Sequence, residues 1–399
     1  MKIEEENKRP YLSIVVASRN DNHGGDLLKR MQIFVTGLLE QCSCHKLDAE
    51  LIIVEWNPPP DSPRLAEVLK WPDEPGPCYV RIIEVSPEIH EKFKYSDKLL
   101  LFQMIAKNVG IRRARGQFIL ATNIDLLFSD ELMRFLASQK MAYGNMYRID
   151  RYDVSSDVPT DVPITEMLNY CRKNIVRVNT SNGTISLKDV KGASRNSIWL
   201  QDKINRVKPW LPTLNQLKRL YSPYILLRGI SHIVRAIACF FKWSLIPIWK
   251  CIALCGTVFL TKKEVDENLW KKLHTNACGD FTLMAKEHWF ALRSYPEWEM
   301  YSFHIDSVFC YMASYASVRE AVLPVSMRIY HVEHTAGWNP QQSKQLYDRL
   351  QSMGVPIMTG GDLLYHVDRL WKHGGIVHFN DNKWGLAGID LKETSVYQE

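Results

Sequence analysis

The sequence predicts an α/β protein built on a mostly parallel central sheet flanked by helices, and three observations carry that prediction. Short β-branched apolar runs alternate with helical stretches over residues 1–150. Each run ends at a polar or proline-bearing loop. The chain of 399 residues, 46% hydrophobic and 24% charged, has ample material for a core. Alternation of this kind argues for parallel strands joined by crossover helices, with ligands at the carboxyl ends of the strands. The composition excludes a disordered chain.

The first run, YLSIVVA (11–17), gives way to the polar loop SRNDNHGGD, and a helical pattern follows from Asp26 to about Cys42. LIIVEW (51–56) is the second strand, stopped by Pro58, Pro59 and Pro60, and YVRIIEV (79–85) is the third. Ser96 is placed to cap a helix over 97–115, with Leu99, Phe102, Ile105, Ala106 and Val109 on one face. A fourth apolar run, Phe118 to Ala121, leads into Thr122, Asn123 and Asp125, after which Leu126, Leu127 and Phe128 resume. A helix is expected from about Ser129, with Asp130 and Glu131 as its first-turn acids.

Five segments are expected along the chain: a nucleotide-sugar-binding half (1–152), a polar, irregular insertion (153–212), a basic apolar helical segment (213–265), an acceptor-binding and catalytic half (266–340), and C-terminal helices with a tail (341–399). Between Lys203 and Lys263 there are 11 Lys or Arg and no Asp or Glu, in a background of Leu, Ile, Phe and Trp. Arg228, Arg235 and Lys242 recur at intervals of seven, so a helix would carry them on one face. The longest apolar run is too short to span a bilayer, which needs about 20 residues. The segment 213–260 therefore reads as lying against an anionic membrane surface, or else as a buried helix with snorkelling cations. Its apolar load exceeds what phosphate contacts need, so no nucleic-acid partner is expected.

Nine Cys, an odd number without a CxxC pair, favour free thiols in a reducing compartment. No second ligand pair follows Cys42, Cys44 and His45 at a zinc-site spacing. The charged N-terminus has no apolar stretch of signal-peptide type, so a cytoplasmic, peripherally membrane-associated protein is expected and the sequons at Asn179 and Asn182 should be silent.

An Asp at the mouth of a strand can hold a divalent cation that bridges phosphates, or can open an ordinary Asx turn. Five motifs in order give Asp125 a context: the polar end of the first strand (Ala17, Ser18, Arg19, Asn20), the acidic Glu55 on the second strand, NVGIRRARG (108–116) leading into NID (123–125), NACGDF (276–281) with FHIDSVFCYMA (303–313), and MRIYHVEHTAGWNP (327–340). This set resembles the GT-A glycosyltransferases, especially the family-2-like group, with a C-terminal segment similar to the metal-binding His segment of galactosyltransferase-like members. The resemblance covers residues 10–150 and 270–340. It departs from the family's pattern at Asn123, where many members carry Asp, and at Ile305, where the pattern has Glu.

The resemblance implies that Asp125 binds a metal with His331 or His334, Mn²⁺ in preference to Mg²⁺ because imidazole suits it better. It implies nucleotide-sugar contacts from Ala17, Ser18, Arg19, Asn20, Glu55, Lys107, Asn108 and Asn123. It makes Asp306 the general base, and Gly279, Asp280 and Trp338 acceptor ligands. The implied reaction is an inverting transfer from a nucleoside-diphosphate sugar, UDP-linked by preference, to a glycan or lipid-linked glycan hydroxyl. Two alternatives stay open: a sugar-nucleotide nucleotidyltransferase, and a non-catalytic membrane-bound scaffold with a degenerate site.

Overall fold

The computed structural model describes residues 9–74, 76–187, 272–334 and 343–397. The basic apolar segment 213–265, the end of the expected insertion, and Trp338 lie outside the described residues.

β1 (Leu12–Ser18), α1 (Leu27–His45), β2 (Ala49–Trp56), α2 (Leu65–Val68), β3 (Cys78–Val85), α3 (Pro87–His90), α4 (Gln103–Arg113) and β4 (Phe118–Thr122) follow in order. Next come β5 (Leu126–Phe128), α5 (Asp130–Ala137), β6 (Asn145–Arg148), β7 (Arg151–Val154), α6 (Ile164–Lys173), β8 (Ile175–Thr180) and β9 (Gly183–Ser186). The later residues give a 3-10 turn (Cys278–Asp280), β10 (Phe281–Ala285), α7 (Lys286–Ala291), α8 (Ile305–Tyr315), β11 (Arg319–Val322), β12 (Ile329–Val332), α9 (Ser343–Ser352), α10 (Gly360–His373) and β13 (Glu393–Ser395).

Eight strands form the main sheet in the order β11-β6-β10-β4-β1-β2-β3-β13. Its centre is parallel, β4-β1-β2-β3, whereas β10 runs antiparallel to β4 and β6, and β13 closes the far edge against β3. The protein is thus a mixed α/β fold. Every residue of β1 and β2 is buried because both faces are covered. Ile14, Leu51 and Ile53 pack with α1 and α5, while Val15, Ile52 and Val54 pack with α4 and α8. A strand buried on both sides reads as a continuous apolar run, which is why these strands are visible in the sequence. Gly110 lets α4 lie close on the sheet: a Cβ there would stand 2.5 Å from Val15 and 3.1 Å from Val54.

The chain leaves β1 through α1 on one face and enters β4 from α4 on the other, so β1 and β4 flank a topological switch point. At such a point the carboxyl ends of the strands open a crevice. Ser18 and Thr122, the last residues of β1 and β4, lie beside it.

Two expectations are corrected. The helix predicted over 97–115 starts at Gln103. Tyr95, in a left-handed conformation, instead makes a turn whose carbonyl takes the amides of Lys98 and Leu99. The stretch 153–187, expected to be irregular, supplies three strands and a helix of a second sheet, ordered β5-β12-β7-β8-β9. These three strands, β7, β8 and β9, are four to six residues long and partly exposed, so their apolar content is low. Among the described residues, no helix is long and apolar enough to cross a membrane.

Candidate active site

The second sheet builds one corner of the crevice by register. β12 lies between β5 and β7, setting His331 opposite Leu126 on one side and Asp153 on the other. Asp125, next to Leu126, accepts the Val332 amide on its backbone carbonyl at 3.1 Å. His331 Nε2 therefore stands 3.6 Å from Asp125 Oδ2, and His334 Nε2 stands 3.4 Å from the same oxygen. One ligand atom from each of the three residues lies within 4.8 Å of the others, and no other His/Cys/Asp/Glu group among the described residues does this.

Behind His331, Nδ1 lies 3.2 Å from Asp153 Oδ1. A carboxylate in that position orients a metal-binding imidazole and raises its basicity. Asp153 is itself held by Arg151 at 2.8 Å, by Arg177, and by the Asn179 amide at 3.0 Å. Asn179 is buried and spent on this contact, so its sequon is inaccessible in the fold. Burial alone would raise the Asp125 carboxyl, but the two imidazoles hold it well below the ordinary carboxylate range. Burial likewise opposes charge on His331, yet Asp125 pushes it up to about 9. Burial outweighs Asp125 at His334 and lowers it.

Asp125, His331 and His334 form a group that could hold a metal ion. Asp125 Oδ1 is buried with no hydrogen-bond partner, and two nitrogens and a carboxylate oxygen face one point.

A second set of polar residues adjoins this corner. Asn123 accepts from Gln103 at 3.0 Å and from Lys107 at 2.7 Å, and its amide donates to Asp280. Lys107 is fully buried and also donates to the Gly279 carbonyl at 2.7 Å. Burial brings its ammonium down to about 8, against the pull of Asp280, Asp306 and Asp125. Asp280 takes Asn123 on one oxygen and Arg151 on the other. Arg151 thus joins Asp280 to Asp153, and the chain of contacts runs unbroken from Lys107 to His331.

Asp306 opens α8 at its second position and accepts the Ser307 amide at 2.8 Å on Oδ1. Its Oδ2 lies against Gly279, where a Cβ would approach to 2.9 Å. That glycine is needed for space: a side chain there would displace the carboxylate.

The residues expected to contact a nucleotide divide. Ala17 and Ser18 are buried at the end of β1, and the Ser18 hydroxyl turns inward to Met31 Sδ at 3.1 Å. Arg19 is tied to the Leu100 carbonyl at 2.8 Å and to Asp21 at 3.0 Å, and Asn20 to the Pro63 carbonyl at 3.0 Å, so both brace loops around the crevice. Glu55 receives the Leu65 amide on both oxygens, at 3.0 and 3.2 Å, and burial pushes it up to about 7. Asn108, expected to contact the nucleotide, is bonded within the protein. Its amide donates to Tyr295 O and Glu297 and accepts from Ser294 and the Tyr295 amide, leaving no hydrogen-bonding capacity for a ligand. Cys42 is buried and Cys44 exposed, while His45 lies 3.3 Å from Asp130, so these three form no site.

Sequence reasoning missed Arg30, Arg151 and Asp153. RYDV (151–154) alternates charged and apolar residues at the period of a strand with one polar face. Arg30 sits among Leu27, Met31, Phe34 and Leu38, a cation within an apolar helical stripe. No protein-family model matches the sequence, and no curated protein is significantly similar to it.

Proposed function

We propose that the chain is a metal-dependent glycosyltransferase of GT-A type, moving a sugar from a nucleoside-diphosphate sugar, UDP-linked in the first instance, to a hydroxyl of a glycan or lipid-linked glycan. The observation that supports the reading is the Asp125, His331 and His334 grouping at the mouth of a switch-point crevice, with Asp306 on the neighbouring α8. Asp125, His331 and His334 would hold the cation, which when bound supplies Lewis-acid neutralisation of the departing diphosphate.

The remaining work falls to the protein. Asp306 takes the proton from the attacking acceptor hydroxyl as general base. Asp280 is a poor base because both its oxygens are already engaged; it positions Asn123 and Arg151. The buried Lys107 ammonium holds Asn123 in place. A single displacement with one base inverts the anomeric centre.

The test is hydrolysis and transfer from a panel of nucleotide sugars with Mn²⁺. Asp125→Ala is expected to lose both metal binding and turnover. Asp306→Asn is expected to keep the metal and lose about 10²–10⁴-fold in transfer. No turnover or binding of any donor by the wild type would sink the reading. Two histidines with one carboxylate also make the ligand set of non-haem iron(II) oxygenases, and oxygen uptake with Fe²⁺ in place of sugar release would favour that class.

The lipid-linked acceptor rests on the segment 213–260. Flotation with anionic liposomes is expected, weakening when Arg228, Arg235 and Lys242 are neutralised; retention in the soluble fraction throughout would leave only a soluble glycan as acceptor.

A further inference from the structure

Arg30 lies in the first turns of α1 and is only 3% exposed. Nη1 donates to Asp125 Oδ2 at 3.1 Å, and Nη2 donates to the carbonyls of His23 and Gly25. Its Nε–H is buried without a partner. The guanidinium therefore shares the one Asp125 oxygen that both imidazoles face. The loop it grips is contorted: Asn22, Gly24, Gly25 and Asp26 all have positive φ.

We infer that Arg30 is an internal counter-ion of the Asp125 site, holding Asp125 in the absence of a cation and passing to the diphosphate of the donor when cation and donor bind together. The inference rests on the metal-binding reading above. A divalent ion on Asp125 adds two positive charges beside a buried guanidinium whose ion pair is with this carboxylate. Like charges so close, away from water, repel strongly unless a new anion arrives. A diphosphate is that anion, and a guanidinium with an unused N–H is well suited to phosphate oxygens. Cation alone must displace Arg30, whereas cation with diphosphate gives it a new partner. Arg30 thus weakens binding of the lone cation and strengthens binding of the pair, and by linkage the effect is reciprocal.

The test uses the full chain with Mn²⁺ and UDP, measured by calorimetry and by the Mn²⁺ spin-resonance signal, for wild type, Arg30→Gln and Arg30→Lys. Arg30→Gln is expected to bind Mn²⁺ alone about tenfold more tightly, and UDP in the presence of Mn²⁺ about tenfold more weakly. Arg30→Lys, which keeps the charge, should stay near wild type for Mn²⁺ alone. A merely structural Arg30 would weaken both ligands on removal, and that outcome overturns the inference, as does unchanged Mn²⁺ affinity in Arg30→Gln.

Hydrogen exchange on the wild type keeps the test valid if Arg30→Gln does not fold. Exchange across residues 21–27 should rise with Mn²⁺ alone and fall again with Mn²⁺ and UDP; no change overturns the inference. A wild type that takes up no divalent ion would instead remove the metal reading itself.

Discussion

Asp125 and Asp280 stand in adjoining corners of one crevice, at 9% and 6% exposed, and differ in what is left of them for a ligand. Asp280 has given one oxygen to Asn123 and the other to Arg151. Asp125 shares one oxygen among Arg30, His331 and His334 and keeps the other buried and unpartnered. A buried acceptor left alone costs about 1–3 kcal/mol, so one corner is built for cohesion and the other carries a local deficit that a cation would relieve. Equal burial does not mean equal role; the unused lone pair distinguishes them.

The largest expected effect breaks the cohesive corner. Asp280→Ala strands Arg151 and Asn123, and removing one partner of a buried ion pair costs about 3–5 kcal/mol. Urea unfolding should show that loss, while the folded fraction still binds Mn²⁺ through Asp125. If Asp280→Ala were as stable as wild type, the bridge through Arg151 would not be holding the corners together.

Asp153→Asn acts on the metal corner without touching a ligand. Loss of the carboxylate behind His331 should lower Mn²⁺ affinity about 10–100-fold, with little change for Asp306-dependent proton transfer at saturating metal. An unaltered Mn²⁺ titration would show that Asp153 only packs the second sheet.

The smallest effect is a pH dependence. With its imidazole at about 9 in the metal-free protein, His331 is protonated at neutral pH and must release that proton to bind a cation. Mn²⁺ affinity should therefore climb with pH, by up to about tenfold per unit below 9, and level off above it. Calorimetry in buffers of different ionisation heat should register the released proton at pH 7; none released would mean that His331 is not a ligand.

Much of the fold could be read because its central strands are buried on both faces. YLSIVVA, LIIVEW and YVRIIEV are mostly apolar, with few polar residues among them, and they run as β1, β2 and β3 at Leu12–Ser18, Ala49–Trp56 and Cys78–Val85. The second sheet was illegible for the opposite reason. Its strands are short and its pairings join segments far apart in sequence, so periodicity over a window does not reveal them. The same holds at the site. Asp125, His331 and His334 could be named from strand ends, but that both imidazoles face one carboxylate oxygen follows from the register of β12 against β5 and β7. Asn108, read as a ligand contact, lies on the side of α4 facing Tyr295 and Glu297, a contact that no local pattern signals.

By itself, then, the sequence determined the parallel centre of the sheet and the acids and imidazoles available at its edge, because burial and strand ends leave local marks in residue order. Which of those groups meet, which are spent on one another, and that Arg30 reaches across to Asp125 were decided only by tertiary structure. Those outcomes depend on hydrogen-bond valence and distance between segments that no stretch of sequence contains.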